Sequence, residues 1–447
     1  MALYDYDIGI IGGGAAGLTV AAGVSQLGAR TLLIEREDRL GGDCLHYGCV
    51  PSKTLIKSAQ VYHRMRHADR YGLPGIEPGP VDFGKVSSRI RGVIDRIQEH
   101  DSVERFCRLG VKVEFGEAAF MDEYTVAVNG QRVTAARWVV ATGSSPAVPE
   151  IPGLDETPFL TNRDIFYMDS LPKSLVILGA GPVGIEMAQA FSRLGSTVTV
   201  IQRASQILVR EDRDMADAVM THLVEEGVTV HLNAAIMRVR DLGHAREVLF
   251  EDGDGFEHTL EAEAILVALG RAVNAQGLAL LNAGVDYSAR GIEVDARLRT
   301  SQKHIFAAGD VTGRYQFTHA AGYEGGIIVA NAVLHLPRKV DYTWFPHATY
   351  CDPELASIGM NEKSAEKAGV EVKVWKEDFG GNDRSLAEGY DAGFLKMLVD
   401  KRENVIGVQI FGPHAGDLIS EWVAVLNGKV KLSTLASSVH PYPTLGE

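Results

Sequence analysis

Two cysteines five positions apart are the residues whose type and spacing point most directly to chemistry. Residues 41–53 read Gly-Gly-Asp-Cys-Leu-His-Tyr-Gly-Cys-Val-Pro-Ser-Lys, so Cys44 and Cys49 lie between a glycine pair and a lysine. In a regular α-helix their Cα atoms would be about 8 to 9 Å apart, beyond the reach of a disulfide. Gly48 and Pro51 are residue types that allow a distorted helical turn. The segment therefore predicts a redox dithiol on a bent helix.

A glycine-rich fingerprint lies upstream of the dithiol. Gly12, Gly14 and Gly17 follow an apolar run and open a predicted helix, and Glu35 ends the next predicted strand. Glycines at this spacing permit a tight turn and bring a pyrophosphate close to a helix N-terminus, while the carboxylate can bind a ribose hydroxyl. The pattern predicts a dinucleotide site. The alternative is a tight turn followed by an incidental acid.

A second unit of the same design follows the dithiol. Gly179, Gly181 and Gly184 again separate a strand from a helix, but Gln202 and Arg203 stand where the first unit has its acid. A carboxylate would repel a 2′-phosphate, whereas an amide and a guanidinium tolerate or bind one. The second site therefore favours NADPH over NADH, with a solvated surface charge as the alternative role of Arg203.

Asp310 is a further candidate ligand of a nucleotide. It follows the apolar run 305–308 and a glycine. At the end of a strand its carboxylate can accept hydrogen bonds from the sugar-like chain of a flavin. Its alternative role is that of a helix N-cap.

The elements that position these residues alternate between short apolar strands and helices, which predicts an α/β architecture. A proline-rich linker at 146–158 leads into the second nucleotide unit, and the chain leaves that unit near Gly270. After Pro337 the sequence changes to strands rich in Val, Ile and Phe with glycine turns, and then to helical residues at 418–427. This last part predicts a separate α+β domain.

Composition limits the function classes. A chain of 447 residues predicts two to four domains. A net charge of −14 argues against nucleic acid or an anionic membrane as a partner. Four cysteines are too few for a disulfide scaffold, which favours a cytoplasmic protein, and we read neither a signal peptide nor a membrane span at the N-terminus. Cys107 and Cys351 are expected to be small buried residues.

The motifs together resemble those of the flavin-dependent pyridine nucleotide-disulfide oxidoreductases, which include dihydrolipoamide dehydrogenase, glutathione reductase and mercuric reductase. Besides the dithiol segment and both fingerprints, the motifs are Ala-Thr-Gly-Ser (141–144), Ile-Phe-Ala-Ala-Gly-Asp (305–310), Gln-Phe-Thr-His (316–319) and Asp-Pro-Glu-Leu-Ala-Ser (352–357). The resemblance implies two Rossmann-like dinucleotide-binding domains plus a C-terminal α+β dimerisation domain. The implied boundaries are 1–148 with 272–337 for FAD, 149–271 for NAD(P)H and 338–447 for the interface of a homodimer.

The resemblance also implies which residues contact each cofactor. The implied FAD contacts are Gly12, Gly14, Gly17, Glu35, Thr142, Gly143 and Asp310. The implied pyridine nucleotide contacts are Gly179, Gly181 and Gly184. Further implied cofactor contacts are Gly42, Ser144, Gln202, Arg203, Gly270, Phe317 and Thr318. No resident metal is expected.

The same resemblance assigns roles around the dithiol. Cys49 is expected to face the flavin and Cys44 to exchange with substrate. Lys53 lies four residues beyond Cys49 on the same helical face, so its charge favours a thiolate. Glu186, two residues after the second fingerprint, is implied to pair with Lys53 near the nicotinamide. The alternative roles are an inert or metal-binding cysteine pair and an ordinary helix acid at position 186.

The C-terminus departs from the disulfide-specific members. Those end in a His-Pro-x4-Glu-like segment whose histidine, oriented by the glutamate, exchanges protons with the partner's dithiol. Here Tyr442 stands in the place of that base, His440 lies two residues earlier, and the chain stops at Glu447. A phenol is a poor base at neutral pH, which argues against efficient oxidation of dihydrolipoamide. The tyrosine, Arg203 and the run Asn-Asp-Arg (382–384) resemble mercuric reductases, although the vicinal cysteine pair at the end of those enzymes is missing here.

We therefore expect an FAD-dependent NAD(P)H oxidoreductase whose Cys44–Cys49 pair reduces a thiol-reactive acceptor, in the manner of mercuric reductase. Dihydrolipoamide dehydrogenase is the first alternative. A flavin NAD(P)H oxidase or quinone reductase that bypasses the cysteines is the second. A catalytically idle scaffold subunit is the third.

Overall fold

The computed structural model describes residues 3–390 and 392–447, and its elements fall into four successive groups. The first group is β1 (Tyr6–Ile11), α1 (Ala15–Gln26), β2 (Thr31–Glu35), α2 (Gly42–His46), α3 (Cys49–Arg66), α4 (Phe83–Gln98), α5 (Val103–Arg108), β3 (Val111–Phe115), β4 (Ala118–Phe120), β5 (Thr125–Val128), β6 (Gln131–Val140) and β7 (Ser144–Pro146). The second is β8 (Ser174–Leu178), α6 (Pro182–Leu194), β9 (Thr197–Ile201), α7 (Arg213–Glu225), β10 (Thr229–His231), β11 (Ala235–Asp241), β12 (Arg246–Glu251), β13 (Glu257–Ala262), β14 (Ala264–Val267) and β15 (Arg271–Val273). The third is β16 (Tyr287–Ser288), β17 (Gly291–Ile292), β18 (Ile305–Ala307) and α8 (Thr318–Ala332). The fourth is β19 (Pro346–Thr349), β20 (Glu354–Gly359), α9 (Glu362–Ala368), β21 (Lys373–Asp378), α10 (Asp383–Ala387), β22 (Phe394–Val399), β23 (Val405–Gly412), α11 (Ala415–Asn427) and α12 (Leu432–Ser437).

The first sheet brings the N-terminal fingerprint and Asp310 to one edge. Its parallel strands lie in the order β3-β2-β1-β6-β18. All five residues of β2 are buried, as expected for a parallel strand covered on both faces. Because β1, β6 and β18 run in the same direction, the turns that follow them meet at their shared carboxyl edge, where ligands of such sheets bind.

The second sheet carries the other fingerprint. Strands β10-β9-β8-β14 are parallel, and a three-stranded antiparallel sheet, β11-β12-β13, packs beside them. Strand β15 returns from this group and pairs with β7 in an antiparallel ribbon. The chain crosses between the two nucleotide-binding units at this ribbon, close to Gly270.

The C-terminal sheet is antiparallel, in the order β19-β20-β23-β22-β21. Helix α11 packs on β20 and β23 and contributes Ile419 and Leu426 to the core of this part. The predicted fold class is confirmed: two parallel Rossmann-like sheets precede an α+β unit. The predicted domain boundaries stay a prediction.

The fold bears on three expectations from the sequence, which concern a membrane span and the burial of Cys107 and Cys351. No helix of the described residues is both long and apolar enough to cross a membrane. The expectation that Cys107 is buried is wrong, because this residue lies on the exposed face of α5, whose buried side chain is the adjacent Phe106. Cys351 is buried as expected, with 3% of its surface exposed.

Candidate active site

Both fingerprints and the dithiol open into one cavity of about 1390 Å³. This volume exceeds the 300 to 1,000 Å³ typical of a site for one drug-sized ligand. The wall of the cavity contains these predicted cofactor residues: Gly12, Gly14, Glu35, Gly42, Thr142, Gly143, Ser144, Gly179, Gly181, Gln202, Gly270, Asp310, Phe317 and Thr318. The cavity therefore connects both fingerprints to the cysteines.

The glycines of the first fingerprint are required by close backbone contacts. Gly12 has a φ of +107°, and a Cβ there would lie 2.3 Å from the carbonyl oxygen of Ala141. A Cβ on Gly17 would lie 1.9 Å from the carbonyl oxygen of Gly12. The turn between β1 and α1 is therefore tight enough to present backbone amides at the start of α1, where a pyrophosphate binds.

The carboxylate of Glu35 is fixed at the cavity wall by two backbone amides. One carboxylate oxygen accepts a hydrogen bond of 2.6 Å from the Gly13 amide, and the other accepts one of 2.9 Å from the Glu37 amide. Each carboxylate oxygen can accept a second hydrogen bond. The backbone thus fixes the carboxylate at the cavity wall with acceptor capacity to spare for ribose hydroxyls.

Asp310 is held by a hydroxyl and a guanidinium at the edge of the first sheet. The Ser144 hydroxyl donates to its carboxylate over 2.5 Å, and the Arg271 Nε atom lies 3.6 Å away. Burial raises the pKa of Asp310. The N-cap of the short helical turn Gly309–Thr312 is Ala308 and that of the following helix α8 is Phe317, so the N-cap role of Asp310 does not hold.

Arg271 is a site residue that the motifs did not identify. Its guanidinium donates to the Ser144 hydroxyl over 2.7 Å and to the Asp43 carboxylate over 2.9 Å. Asp43 is the neighbour of Cys44 on α2, so Arg271 connects the β7–β15 ribbon to α2 and to Asp310. Its position directly after Gly270 was the only signal in the sequence, and that signal does not reveal partners more than a hundred residues away.

The second fingerprint repeats the same backbone geometry. Gly179 has a φ of +102°, and a Cβ on Gly184 would lie 2.1 Å from the Gly179 carbonyl oxygen. Gln202 accepts a hydrogen bond of 3.2 Å from the Ala180 amide. Arg203 is exposed and lies outside the cavity wall. Arg210, which the sequence analysis did not single out, does line the cavity.

The helix that carries the dithiol is broken between its cysteines, as predicted. Helix α2 ends at His46, and α3 begins at Cys49 after Gly48, whose backbone (φ −123°, ψ −111°) is not helical. A Cβ on Gly48 would lie 3.0 Å from the Asp43 carbonyl oxygen. The break brings the two thiols close enough for each to change the acidity of the other.

The two thiols differ in acidity. A hydrogen bond from Cys44 lowers the pKa of Cys49 to about 6, with further help from the Thr318 hydroxyl, 3.3 Å from its sulfur, and from the charge of Lys53. The hydrogen bond to Cys49 and burial raise the pKa of Cys44. When the pair is reduced, these contacts favour the thiolate on Cys49 and the thiol on Cys44.

The expected Lys53–Glu186 pair is present, with Nζ 2.7 Å from the carboxylate. Glu186 is 5% exposed. A third residue, Tyr350, contacts both partners: its amide donates to the other carboxylate oxygen over 2.9 Å, and its ring lies 4.4 Å from the ammonium. No motif in the sequence points to Tyr350.

The C-terminal residues lie apart from the dithiol of their own chain. Tyr442 is 69% exposed and donates a hydrogen bond of 2.8 Å to Asp383, which raises the pKa of the phenol. His440 contacts Glu421 at 2.9 Å, and Glu447 is exposed. None of these three residues lines the cavity. Their role was assigned across a dimer, so it stays a prediction.

The chain is similar to known proteins in both sequence and structure. Residues 6–325 match the family described as Pyridine nucleotide-disulphide oxidoreductase, and residues 345–447 match its dimerisation domain. The mercuric reductase of Staphylococcus aureus is 32% identical over 99% of this chain and 81% of its own length. The dihydrolipoyl dehydrogenase of Geobacillus stearothermophilus is 36% identical over 98% of this chain and 93% of its own length. A solved structure, the Cu(II) complex of the HOCl-induced flavoprotein disulfide reductase RclA from Escherichia coli, superposes with a TM-score of 0.88 at 28% identity, covering 98% of this chain and 97% of that one.

Proposed function

Because the chain belongs to the pyridine nucleotide-disulphide oxidoreductase family, we propose that it passes electrons from NAD(P)H through FAD to the Cys44–Cys49 disulfide and on to a thiol-reactive acceptor. Enzymes of this family are FAD-dependent and use NAD(P)H. The observation that carries the proposal is the dithiol itself. It lies in the wall of a cavity shared by two dinucleotide fingerprints, with the Lys53–Glu186 pair beside it.

The residues on the first sheet fit FAD. Gly12 and Gly17 form a turn into which no side chain fits, Glu35 keeps free acceptor capacity, and Asp310 lies at the same edge. We assign the pyrophosphate to the start of α1, the ribose to Glu35 and the sugar-like chain to Asp310. Bound FAD supplies the capacity to take a hydride from the pyridine nucleotide and return an electron pair to the disulfide.

The chain's own groups complete the redox step. Two electrons break the Cys44–Cys49 bond, and one proton is taken up, so that Cys44 becomes a thiol and Cys49 a thiolate. Lys53, one helical turn beyond Cys49, stabilises that thiolate. Cys44 loses its proton when it attacks the acceptor, because the thiolate is the reactive form.

A thiol-reactive acceptor such as Hg(II) fits the residue at position 442. Oxidation of a dithiol substrate needs a base, and a phenol whose pKa is raised further by its hydrogen bond to Asp383 is a poor one. Hg(II) arrives without protons to remove and binds directly to sulfur. Tyr442 therefore favours an acceptor of this class over dihydrolipoamide. Gln202, in place of an acid, favours NADPH as the donor.

We also propose a homodimer built by the C-terminal domain, in which Tyr442 of each subunit faces the dithiol of its partner. The match of residues 345–447 to the dimerisation domain supports this arrangement. The exposed position of Tyr442, away from its own dithiol, is the geometry that such an exchange requires.

The test is steady-state turnover of purified flavoprotein with NADPH and Hg(II), compared with dihydrolipoamide and NAD. The Cys49→Ser variant is expected to lose Hg(II)-dependent oxidation of NADPH, while Cys107→Ser, which removes an exposed thiol outside the cavity, keeps it. Unchanged turnover in Cys49→Ser would reject the dithiol route in favour of an oxidase or quinone reductase. Faster turnover with dihydrolipoamide would reject the proposed acceptor class.

A further inference from the structure

We propose that Tyr350 is a positioning residue that holds the Lys53–Glu186 pair beside Cys49 and thereby makes the reactivity of the dithiol depend on the C-terminal domain. The proposal deepens the proposed function and rests on it, since it takes Cys49 as the thiol that receives electrons. The pair itself joins the dithiol helix α3 to the fingerprint helix α6. Tyr350 brings in the segment that connects β19 with β20.

Tyr350 restrains both members of the pair. Its backbone amide donates to one oxygen of Glu186 over 2.9 Å, and Lys53 binds the other oxygen at 2.7 Å. The carboxylate is therefore fixed from two sides in a buried position. The tyrosine ring lies against the Lys53 ammonium, 4.4 Å from ring centre to nitrogen, which is the arrangement of a cation–π contact.

Helix α6 holds this segment through two further side chains, Gln189 and Arg193. Gln189 accepts from the amide of Asp352 and donates to its carbonyl oxygen, both over 2.7 Å. Arg193 binds the carboxylate of Asp352 at 2.7 Å and is itself fixed by Glu226 at 2.6 Å. Residues 186, 189 and 193 are spaced by three and four, so they lie on one face of the helix.

Packing alone does not explain this row of buried polar side chains on α6, which we call the ladder. Glu186, Gln189 and Arg193 are 5%, 4% and 6% exposed, and burying such groups is costly unless each is hydrogen-bonded. Their shared partner is the three-residue segment 350–352. The ladder sets the register of that segment, and the register places the ring of Tyr350 on Lys53.

The consequence reaches the dithiol through Lys53. The lysine lies one turn after Cys49 and favours its thiolate. The side chain of Lys53 is long and 36% exposed. Without the ring of Tyr350, it can turn into solvent and away from the sulfur of Cys49. Tyr350 therefore acts on Cys49 by restricting Lys53, and a phenylalanine, which keeps the ring, serves equally well.

The test is a pH titration of Cys49 in the flavin-bound enzyme. The ultraviolet absorbance of the thiolate, measured at each pH, gives the midpoint of the titration. A Cys44→Ser background isolates Cys49, and the same protein with Cys49→Ser supplies the blank. Tyr350→Leu is expected to raise the midpoint by about half a pH unit, as follows from the size of a partly exposed cation–π contact. Tyr350→Phe is expected to titrate like the parent.

A double-mutant cycle with Lys53→Met separates positioning from general damage to the fold. In that background Tyr350→Leu is expected to leave the midpoint unchanged, because the group through which it acts is missing. An equal shift in both backgrounds, or no shift in either, would overturn the proposal. The titration needs no acceptor and no turnover, so its failure is distinct from failure of the proposed function, which Hg(II)-dependent turnover reports.

Discussion

At the scale of single residues, the pyridine nucleotide site offers the sharpest prediction. Gln202 uses its side-chain oxygen to accept from the Ala180 amide at the wall of the cavity. Gln202→Glu keeps this acceptor but adds a negative charge where a 2′-phosphate would lie, so the ratio of kcat/KM for NADPH to that for NADH should fall by about tenfold or more.

Gln131→Glu is the matched control, because it adds the same charge at the exposed start of β6. Initial rates with both donors, measured with one fixed acceptor, provide the ratio. A ratio that does not change in Gln202→Glu, or falls equally in the control, would contradict the placement of the 2′-phosphate.

His63 predicts a pH dependence of stability. Burial, followed by the positive charge of Arg193, lowers the pKa of His63 to about 4. Since folding favours the neutral ring, its contribution to stability is present above pH 6.5 and is lost as the pH falls toward 4. His63→Gln, which cannot become charged, should reduce the acid destabilisation at pH 5 by about 1 kcal/mol after allowance for partial exposure.

Thermal unfolding at pH 7 and pH 5 measures this effect as a smaller drop in Tm for His63→Gln than for the parent. His335→Gln, at an exposed position, should behave like the parent. If the two variants respond identically to acid, the ring of His63 is already charged at pH 5 and the prediction is wrong.

The residues that sequence reasoning found differ in kind from those it missed. Gly12, Glu35 and Cys49 carry local patterns, because a tight turn, a strand end or a bent helix constrains neighbours along the chain. Arg271 and Tyr350 act on Asp43 and Lys53, which are far away in sequence, and no local spacing encodes such contacts. The burial of Cys107 was predicted wrongly for a related reason, because the buried face of a short helix depends on what packs against it.

At the scale of elements, the buried Lys396 links its own strand, β22, to the helices α7 and α9. Lys396 of β22 is 1% exposed, and its ammonium lies 2.7 Å from Asp212, 2.7 Å from Asp214 and 2.8 Å from Glu362. Asp212 precedes α7 and Glu362 opens α9, so the lysine connects the second nucleotide unit to the C-terminal sheet. These three carboxylates are close enough to bind a metal ion, but the ammonium occupies the space between them.

Removing that ammonium should be costly, because it leaves the buried carboxylate of Asp212 without its partner. Lys396→Met is expected to destabilise the protein by about 1 to 3 kcal/mol, less than a fully buried ion pair would lose, since Asp214 and Glu362 are half-exposed and screened by solvent. Thermal unfolding should show a clearly lower Tm. Lys376 lies on the neighbouring strand β21, is half-exposed, and has its ammonium 3.9 Å from Asp214. Lys376→Met should therefore change the Tm little. Equal changes in both variants would show that the cluster is screened by solvent.

At the scale of the whole molecule, three parts of the chain converge on the dithiol. Helix α3 of the first nucleotide unit supplies Cys49 and Lys53, the fingerprint helix α6 of the second supplies Glu186, and the C-terminal unit supplies Tyr350. The motifs predicted the first two contributions, since each lies inside a recognisable pattern. The third could not be predicted, because it depends on how the C-terminal sheet docks. The dithiol is thus the point at which the separately folded parts depend on one another.

The proposed dimer makes a prediction about mixed subunits. If Tyr442 serves the dithiol of its partner, a subunit with Cys49→Ser and a subunit with Tyr442→Ala are each inactive or impaired as homodimers, yet together they form one intact site. Random association gives half hybrids with one working site of two, so activity should return to about a quarter of the parent value. Turnover with NADPH and Hg(II) in the co-expressed mixture measures this recovery, and the hybrid isolated through separately tagged subunits should reach about half of the parent value. If Tyr442 instead acted within its own chain, neither subunit of the hybrid would hold a complete site and mixing would restore nothing.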